Sequence, residues 1–163
     1  MVSNVSVQDL EKITQLLGRE PRGLEAVQVR DSNGEPSVIR VCSMVEGKPF
    51  PTMFWLIDNK LNYWLDGLEA RGVIKQLQQE VDQSESLQQQ LRQDHLAYVE
   101  MRKTYMIELV KNTLKRLNYY DQLVVRGIGG IANYTRIRCL HTYYAAHLVK
   151  KNTVGAMLDT LEL

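Results

Sequence analysis

The sequence predicts an α+β fold, with a small three-stranded antiparallel sheet in the N-terminal third and several helices from the C-terminal two-thirds packed on it. Three observations carry this expectation. Between Leu24 and Ile57, short runs of β-branched and aromatic residues are separated by dense turn chemistry. From Asp58 onward, apolar residues recur at three- and four-residue spacing, the period of an amphipathic helix. No repeat, linker or shift in composition divides the chain, so residues 1–163 read as a single domain.

Each element has its own signal. Ser6-Val7-Gln8-Asp9 reads as a helix cap with an acid three residues on, followed by the stripe Leu10, Ile13, Leu16 and Leu17. Gly18, Pro21 and Gly23 end that helix. Residues 24–30 alternate like a strand, Asp31-Ser32-Asn33-Gly34-Glu35-Pro36 turns the chain, and residues 37–44 return. Glu46-Gly47-Lys48-Pro49 makes a second turn, and residues 51–57 form the third strand of a meander.

Asp58 caps a helix carrying Leu61, Trp64, Leu65 and Leu68, interrupted near Gly72 and resumed through Ile74, Leu77 and Val81. Trp55 and Trp64 are expected to anchor the sheet to it. A cap at Asp82 or Ser84 opens a long helix expected to reach Tyr119, with Leu91, His95, Tyr98, Arg102, Tyr105 and Leu109 on one face. A loop over residues 127–133, a last long helix over residues 135–151 and a short terminal one over residues 154–161 complete the reading.

Bulk properties exclude several classes. At 163 residues, with 44% hydrophobic and 24% charged residues, the chain is long and apolar enough to bury a core. No apolar run approaches the length of a membrane span, and the N-terminus shows neither a basic nor an apolar leader region. Two cysteines, Cys42 and Cys139, are too few for a disulfide framework, so a cytoplasmic protein with reduced thiols is expected. The net charge of +1 is unevenly spread: residues 102–151 hold ten basic residues against Glu108 and Asp121, a local balance of 10 − 2 = +8. Such asymmetry suits an anionic partner.

Two constellations could carry chemistry. Arg126-Gly127-Ile128-Gly129-Gly130, with Asn133 and Arg136 close behind, suits an anion held by backbone N–H groups and guanidinium forks. It is neither a Walker loop nor a dinucleotide fingerprint, because the required Lys-Ser/Thr and strand–turn–helix frame are missing. His95, Tyr98 and Arg102 place an imidazole, a phenol and a cation on one helix face, fit for phosphate binding, acid–base work or a hydrogen-bonded core layer. Cys139-Leu140-His141 suggests a metal, with Cys42 and His95 or His147 completing the set. On a helix, however, residues two apart point about 200° away from each other, so no metal ligand is assigned.

Several segments together resemble a bacterial family, domain of unknown function number 501. They are Gly18-Arg19-Glu20-Pro21-Arg22-Gly23, Pro49-Phe50-Pro51-Thr52, Leu68-Glu69 with Gly72, His95 with Tyr98 and Arg102, Gly127-Ile128-Gly129-Gly130, and Arg136-Ile137-Arg138-Cys139-Leu140-His141. The resemblance implies a bacterial cytoplasmic protein and brings no activity, cofactor or partner. Members often read Asn-Pro-x-Gly after the last long helix, whereas Asn152-Thr153-Val154-Gly155 here lacks the proline and its fixed φ.

The function expected from the residues is binding of an anion, either a phosphate-bearing small molecule or a nucleic acid. Arg19, Arg22, Arg102, Arg136 and Arg138 would act with Gly127, Gly129 and Gly130 as ligand-binding groups. Two alternatives stand beside it. One is an enzyme on a phosphorylated substrate with His95, Tyr98 and His141 as catalytic candidates. The other is an interaction module that uses the long helix, for instance to form a homodimer. Nothing names a cofactor, and a membrane is not among the expected partners.

Overall fold

The computed structural model describes residues 5–161 and has the expected α+β architecture. Helix α1 (Val7–Leu17) begins where Ser6 accepts a hydrogen bond from the Asp9 amide and ends at Gly18, whose φ of +68° closes the last turn. Strands β1 (Leu24–Arg30) and β2 (Pro36–Val41) pair antiparallel around a turn in which the Asp31 carboxylate accepts from the Asn33 and Glu35 amides.

The returning strand is shorter than expected. After Val41 the chain leaves the sheet and forms a separate hairpin, β3 (Met44–Val45) with β4 (Lys48–Pro49), turning at Glu46 and Gly47, both with positive φ. Strand β5 (Phe54–Leu56) then joins the outer side of β2, giving the order β1-β2-β5. Strand β5 is therefore an edge.

Side-chain alternation along β2 sends Val38 to one face and Ile39 to the other. The Ile39 face packs under α1 through Ile13, Val41 and Ile57. The Val38 face meets the main core, built with Phe54, Leu65, Leu68, Leu91 and Tyr143. The sheet is thus covered on both faces, by the N-terminal helix as well as by the later ones.

Asp58 caps α2 (Asn59–Ala70) by accepting from the Lys60 and Leu61 amides, and Gly72 at φ +80° separates it from α3 (Val73–Gln83). Ser84, rather than Asp82, caps α4 (Glu85–Tyr105). Trp64 packs edge-on against Tyr144 in the main core, whereas Trp55 packs with Phe50 on the α1 side.

Two helix boundaries differ from expectation. Helix α4 stops at Tyr105, and α5 (Glu108–Arg116) starts after extended backbone at Met106 and Ile107. Met106 turns inward to a small cluster with Val110, Leu114 and Leu123, and a straight helix would not allow that packing. Leu109, expected on the buried face, is 70% exposed on α5. Helix α6 (Tyr120–Leu123) and a 3-10 turn (Ile128–Gly130) follow.

The last long helix, α7 (Leu140–Val149), begins five residues later than expected. Side chains of other helices bind backbone groups here, among them the Thr135 carbonyl and Leu140 amide that a longer helix would have used. Gln78 accepts from the Ile137 amide and donates to the Thr135 carbonyl, while Glu69 accepts from the Leu140 amide. Helix α7 crosses the sheet against β5, and α8 (Thr153–Leu158) closes the chain over α7 and α4. Among the described residues, no helix is long and apolar enough to cross a membrane.

Candidate active site

His95, Tyr98 and Arg102 do share one face of α4, and that face is buried. His95 Nδ1 accepts from the Ile128 amide at 3.0 Å, and its Nε2 lies 2.9 Å from the Tyr143 hydroxyl, which in turn donates to the Arg136 carbonyl. This pattern fixes the Nε2–H tautomer. Burial holds the imidazole well below its ordinary range, at about 4, so it is neutral at physiological pH. The Tyr98 hydroxyl accepts from the Met53 amide at 2.7 Å, and burial pushes that phenol up.

Arg102 is completely buried and faces carbonyls rather than acids. Its guanidinium donates to the carbonyls of Leu123 at 3.1 Å, Pro51 at 2.7 Å and Arg126, while Nε makes no hydrogen bond. The glycine loop closes against this face: a Cβ on Gly127 would meet the His95 ring at 2.2 Å. Three of its backbone donors are committed within the fold. Gly127 bonds to Ile131, Ile128 to His95, and Gly130 to Gly127. Gly129 and Gly130 adopt positive φ to make the turn.

The remaining arginines are dispersed. Arg22 pairs with Glu46 at 2.9 Å and Arg136 with Asp82 at 3.5 Å, both on the surface. Arg138 is exposed. Arg19 lies over the indole of Trp55, 5.5 Å from the ring centroid. Of the sequence candidates, only His95, Tyr98, Arg102 and the glycine loop come together. Their mutual bonds order the chain between α4 and α7.

A different cluster forms where α7 begins. Because Cys139 is the cap residue, with extended backbone (φ −150°, ψ 121°), it is not on the helix at all, and the opposed directions expected for Cys139 and His141 do not arise. Cys139 Sγ lies 3.9 Å from His141 Nδ1, and Glu69 Oε1, from the last turn of α2, lies 3.2 Å from the same nitrogen. Asp66, one turn earlier on α2, brings its carboxylate 3.2 Å from His141 Nε2. The donor atoms of Glu69, Cys139 and His141 all fall within 4.8 Å of one another. Sequence reasoning missed both acids as site residues. Their three-residue spacing on one helix face, beside the Leu68-Glu69 pair already noted, was the available signal.

Charge is redistributed within this cluster. Burial works to raise the Cys139 thiol, but His141 and nearby backbone donors outweigh it, and the net direction is down. His141 is pushed up to about 9 by Cys139 first and then by Glu69, against the opposing effect of burial. Beside it, His141 and Thr142 help line an open cleft of about 280 Å³ whose other walls are Leu17, Thr52, Phe54, Trp55 and Leu56. The cleft runs along the outer edge of β5 and is mostly apolar.

The family described as Protein of unknown function (DUF501) matches residues 27–160. The chain belongs to it. Neither a curated protein nor a solved structure matches. Parts of the segments that carry the DUF501 resemblance fall at the two places just described: Pro51, His95, Arg102 and residues 127–130 in the buried network, and Glu69, Cys139 and His141 in the second cluster, with Thr52 in the cleft beside it. The departure at Thr153 also has a structural role. Its amide, which a proline would lack, donates to Asp94 at 2.7 Å, while Asn152 caps α8 by accepting from Gly155.

Proposed function

We infer that this DUF501 chain is an enzyme whose reacting groups are Glu69, Cys139 and His141, acting on a small organic anion seated in the adjoining cleft. The observation that carries the reading is His141, which belongs to this cluster and also lines the adjoining cleft of about 280 Å³, where the neighbouring walls are apolar. A thiol, an imidazole and a carboxylate drawn from two helices are a chemical end, and Phe54, Trp55, Leu56 and Leu17 are a wall for a hydrocarbon or aromatic body.

The anionic group belongs away from Glu69 and Asp66, which would repel it. Arg19, stacked on Trp55, supplies the cation at that other part of the wall. Among the described residues Arg19 has no carboxylate partner, unlike Arg22 and Arg136. This arrangement keeps an anionic ligand but assigns it to Arg19 rather than to Arg102 and the glycine loop, most of whose donors are already taken by groups of the fold.

Phenyl phosphate, benzoate and the neutral control benzyl alcohol, titrated by calorimetry, test the binding half. The two anions are expected to bind more tightly than the control and to lose that preference in Arg19→Ala. Hydrolysis of p-nitrophenyl phosphate or p-nitrophenyl acetate, present in wild type and lost in His141→Ala with binding retained, is the expected sign of chemistry. Absence of both binding and turnover would overturn the proposal.

A further inference from the structure

The geometry points to Glu69, Cys139 and His141 as three ligands of a divalent transition metal, zinc by preference, with a fourth position left to water or substrate. This deepens the enzyme reading above by naming the cofactor class at the same site. Three independent features lead to it.

The first is distance. A tetrahedral zinc, with bonds of roughly 2.3 Å to sulfur and about 2.0 Å to nitrogen and oxygen, holds sulfur and nitrogen ligands roughly 3.5 Å apart and nitrogen and oxygen about 3.3 Å apart. Here Sγ to Nδ1 is 3.9 Å and Nδ1 to Oε1 is 3.2 Å. The nitrogen–oxygen pair already has the required separation, and the sulfur, with all three donors within 4.8 Å of one another, must move inward to share the ion.

The second is the outer contact. A metal-binding imidazole commonly donates its other N–H to a carboxylate, which fixes its tautomer and orientation. Asp66 Oδ1 stands 3.2 Å from Nε2, on the nitrogen that the metal does not use. Glu69 is likewise held, since the Leu140 amide donates to its Oε1 at 2.7 Å. Ligands and supports come from the last turns of α2 and the first turn of α7, so packing between two helices sets the site.

The third is charge. Cys139, Glu69 and Asp66 are three groups that carry negative charge when ionised, gathered around one imidazole. Among the described residues, neither Glu69 nor Asp66 pairs with a lysine or arginine. Of the described residues, His141 is the one cationic partner the fold places with them, a single positive charge against three such groups, and a divalent cation taking its Nδ1 position offsets the remainder. Mixed thiolate, imidazole and carboxylate donors select zinc over magnesium or calcium, which take oxygen alone.

The test uses the full chain, stripped with a chelator and titrated with zinc sulfate. One equivalent per chain is expected, with the midpoint of thermal unfolding rising on addition. Cys139→Ser and Glu69→Gln, which preserve shape, should each lose stoichiometric binding, and Asp66→Asn should weaken it about 10- to 100-fold while keeping the stoichiometry. Cobalt in place of zinc should show a thiolate-to-metal charge-transfer band in wild type that Cys139→Ser lacks. Failure of wild type to bind zinc, or binding undiminished in both Cys139→Ser and Glu69→Gln, overturns the site. Loss of turnover in His141→Ala without any metal would overturn this inference and leave the enzyme reading standing. Stoichiometric zinc with no binding of the aromatic anions would do the reverse.

Discussion

Replacing Arg102 with methionine would show whether this guanidinium holds the fold together or waits for a ligand. Methionine keeps most of the apolar stem but cannot donate, so the carbonyls of Pro51, Leu123 and Arg126, grouped around a buried side chain, lose their charged partner. Each orphaned buried acceptor costs about 1–3 kcal/mol. Relief from burying a cation without a carboxylate returns part of the sum, which leaves a net loss of roughly 3 kcal/mol. Against a total stability of about 5–15 kcal/mol, that loss is large. With a urea slope of about 2 kcal/mol per molar, the unfolding midpoint should fall by roughly 1.5 M. Arg102→Lys, with a single head group, should fall in between. A midpoint for Arg102→Met within about 0.3 M of wild type would refute the reasoning, because the carbonyls would then be finding other partners.

Two further outcomes follow from the buried histidines. The folded-state pKa of His95 is depressed from 6.5 to about 4, so between those values the unfolded chain binds the extra proton. Stability should therefore be unaffected above pH 6.5 and fall as the pH drops toward 4, by about 3 kcal/mol in all. Subtracting the profile of His95→Gln, measured by urea unfolding across that range, isolates the effect from the other titrating groups. A difference that stays flat with pH would sink the assignment. Gly155→Ala tests the second histidine, because the new Cβ would sit 2.0 Å from the His147 ring, which is pinned between Asn152 and Asp159. A destabilisation of about 2 kcal/mol or more is expected, and an unchanged thermal midpoint would contradict it.

Local chemistry was the legible part of the sequence. Ser6, Asp58 and Ser84 cap the helices because their side-chain oxygens compete for free amides wherever a helix starts. His95, Tyr98 and Arg102 share a buried face because three- and four-residue spacing on a helix leaves no alternative. Long-range substitution for a local bond was not legible. Residues 135–139 have helical periodicity, but Gln78 and Glu69, more than fifty residues away, take their amides and carbonyls. That capture moves Cys139 off the helix and onto His141. The site was therefore hidden by the same error that lengthened α7. In the arginine cluster, charge alone could not tell carbonyl partners from an external anion.

The chain between α6 and α7 makes short-range turn bonds of its own but leans on earlier helices for the rest. Its amides and carbonyls at Leu123, Arg126, Ile128, Thr135, Ile137 and Leu140 are met by Arg102, His95, Gln78 and Glu69, all on helices that precede it. Order in this stretch therefore draws on α2, α3 and α4 being in place, and it is expected to loosen with them. Amide exchange at Ile128, Ile137 and Leu140 should accordingly track that of α4 and not reach the faster rates of an exposed loop. Since Cys139 and His141 stand at the end of this borrowed scaffold, the cluster they form with Glu69 exists only while α2 holds the start of α7.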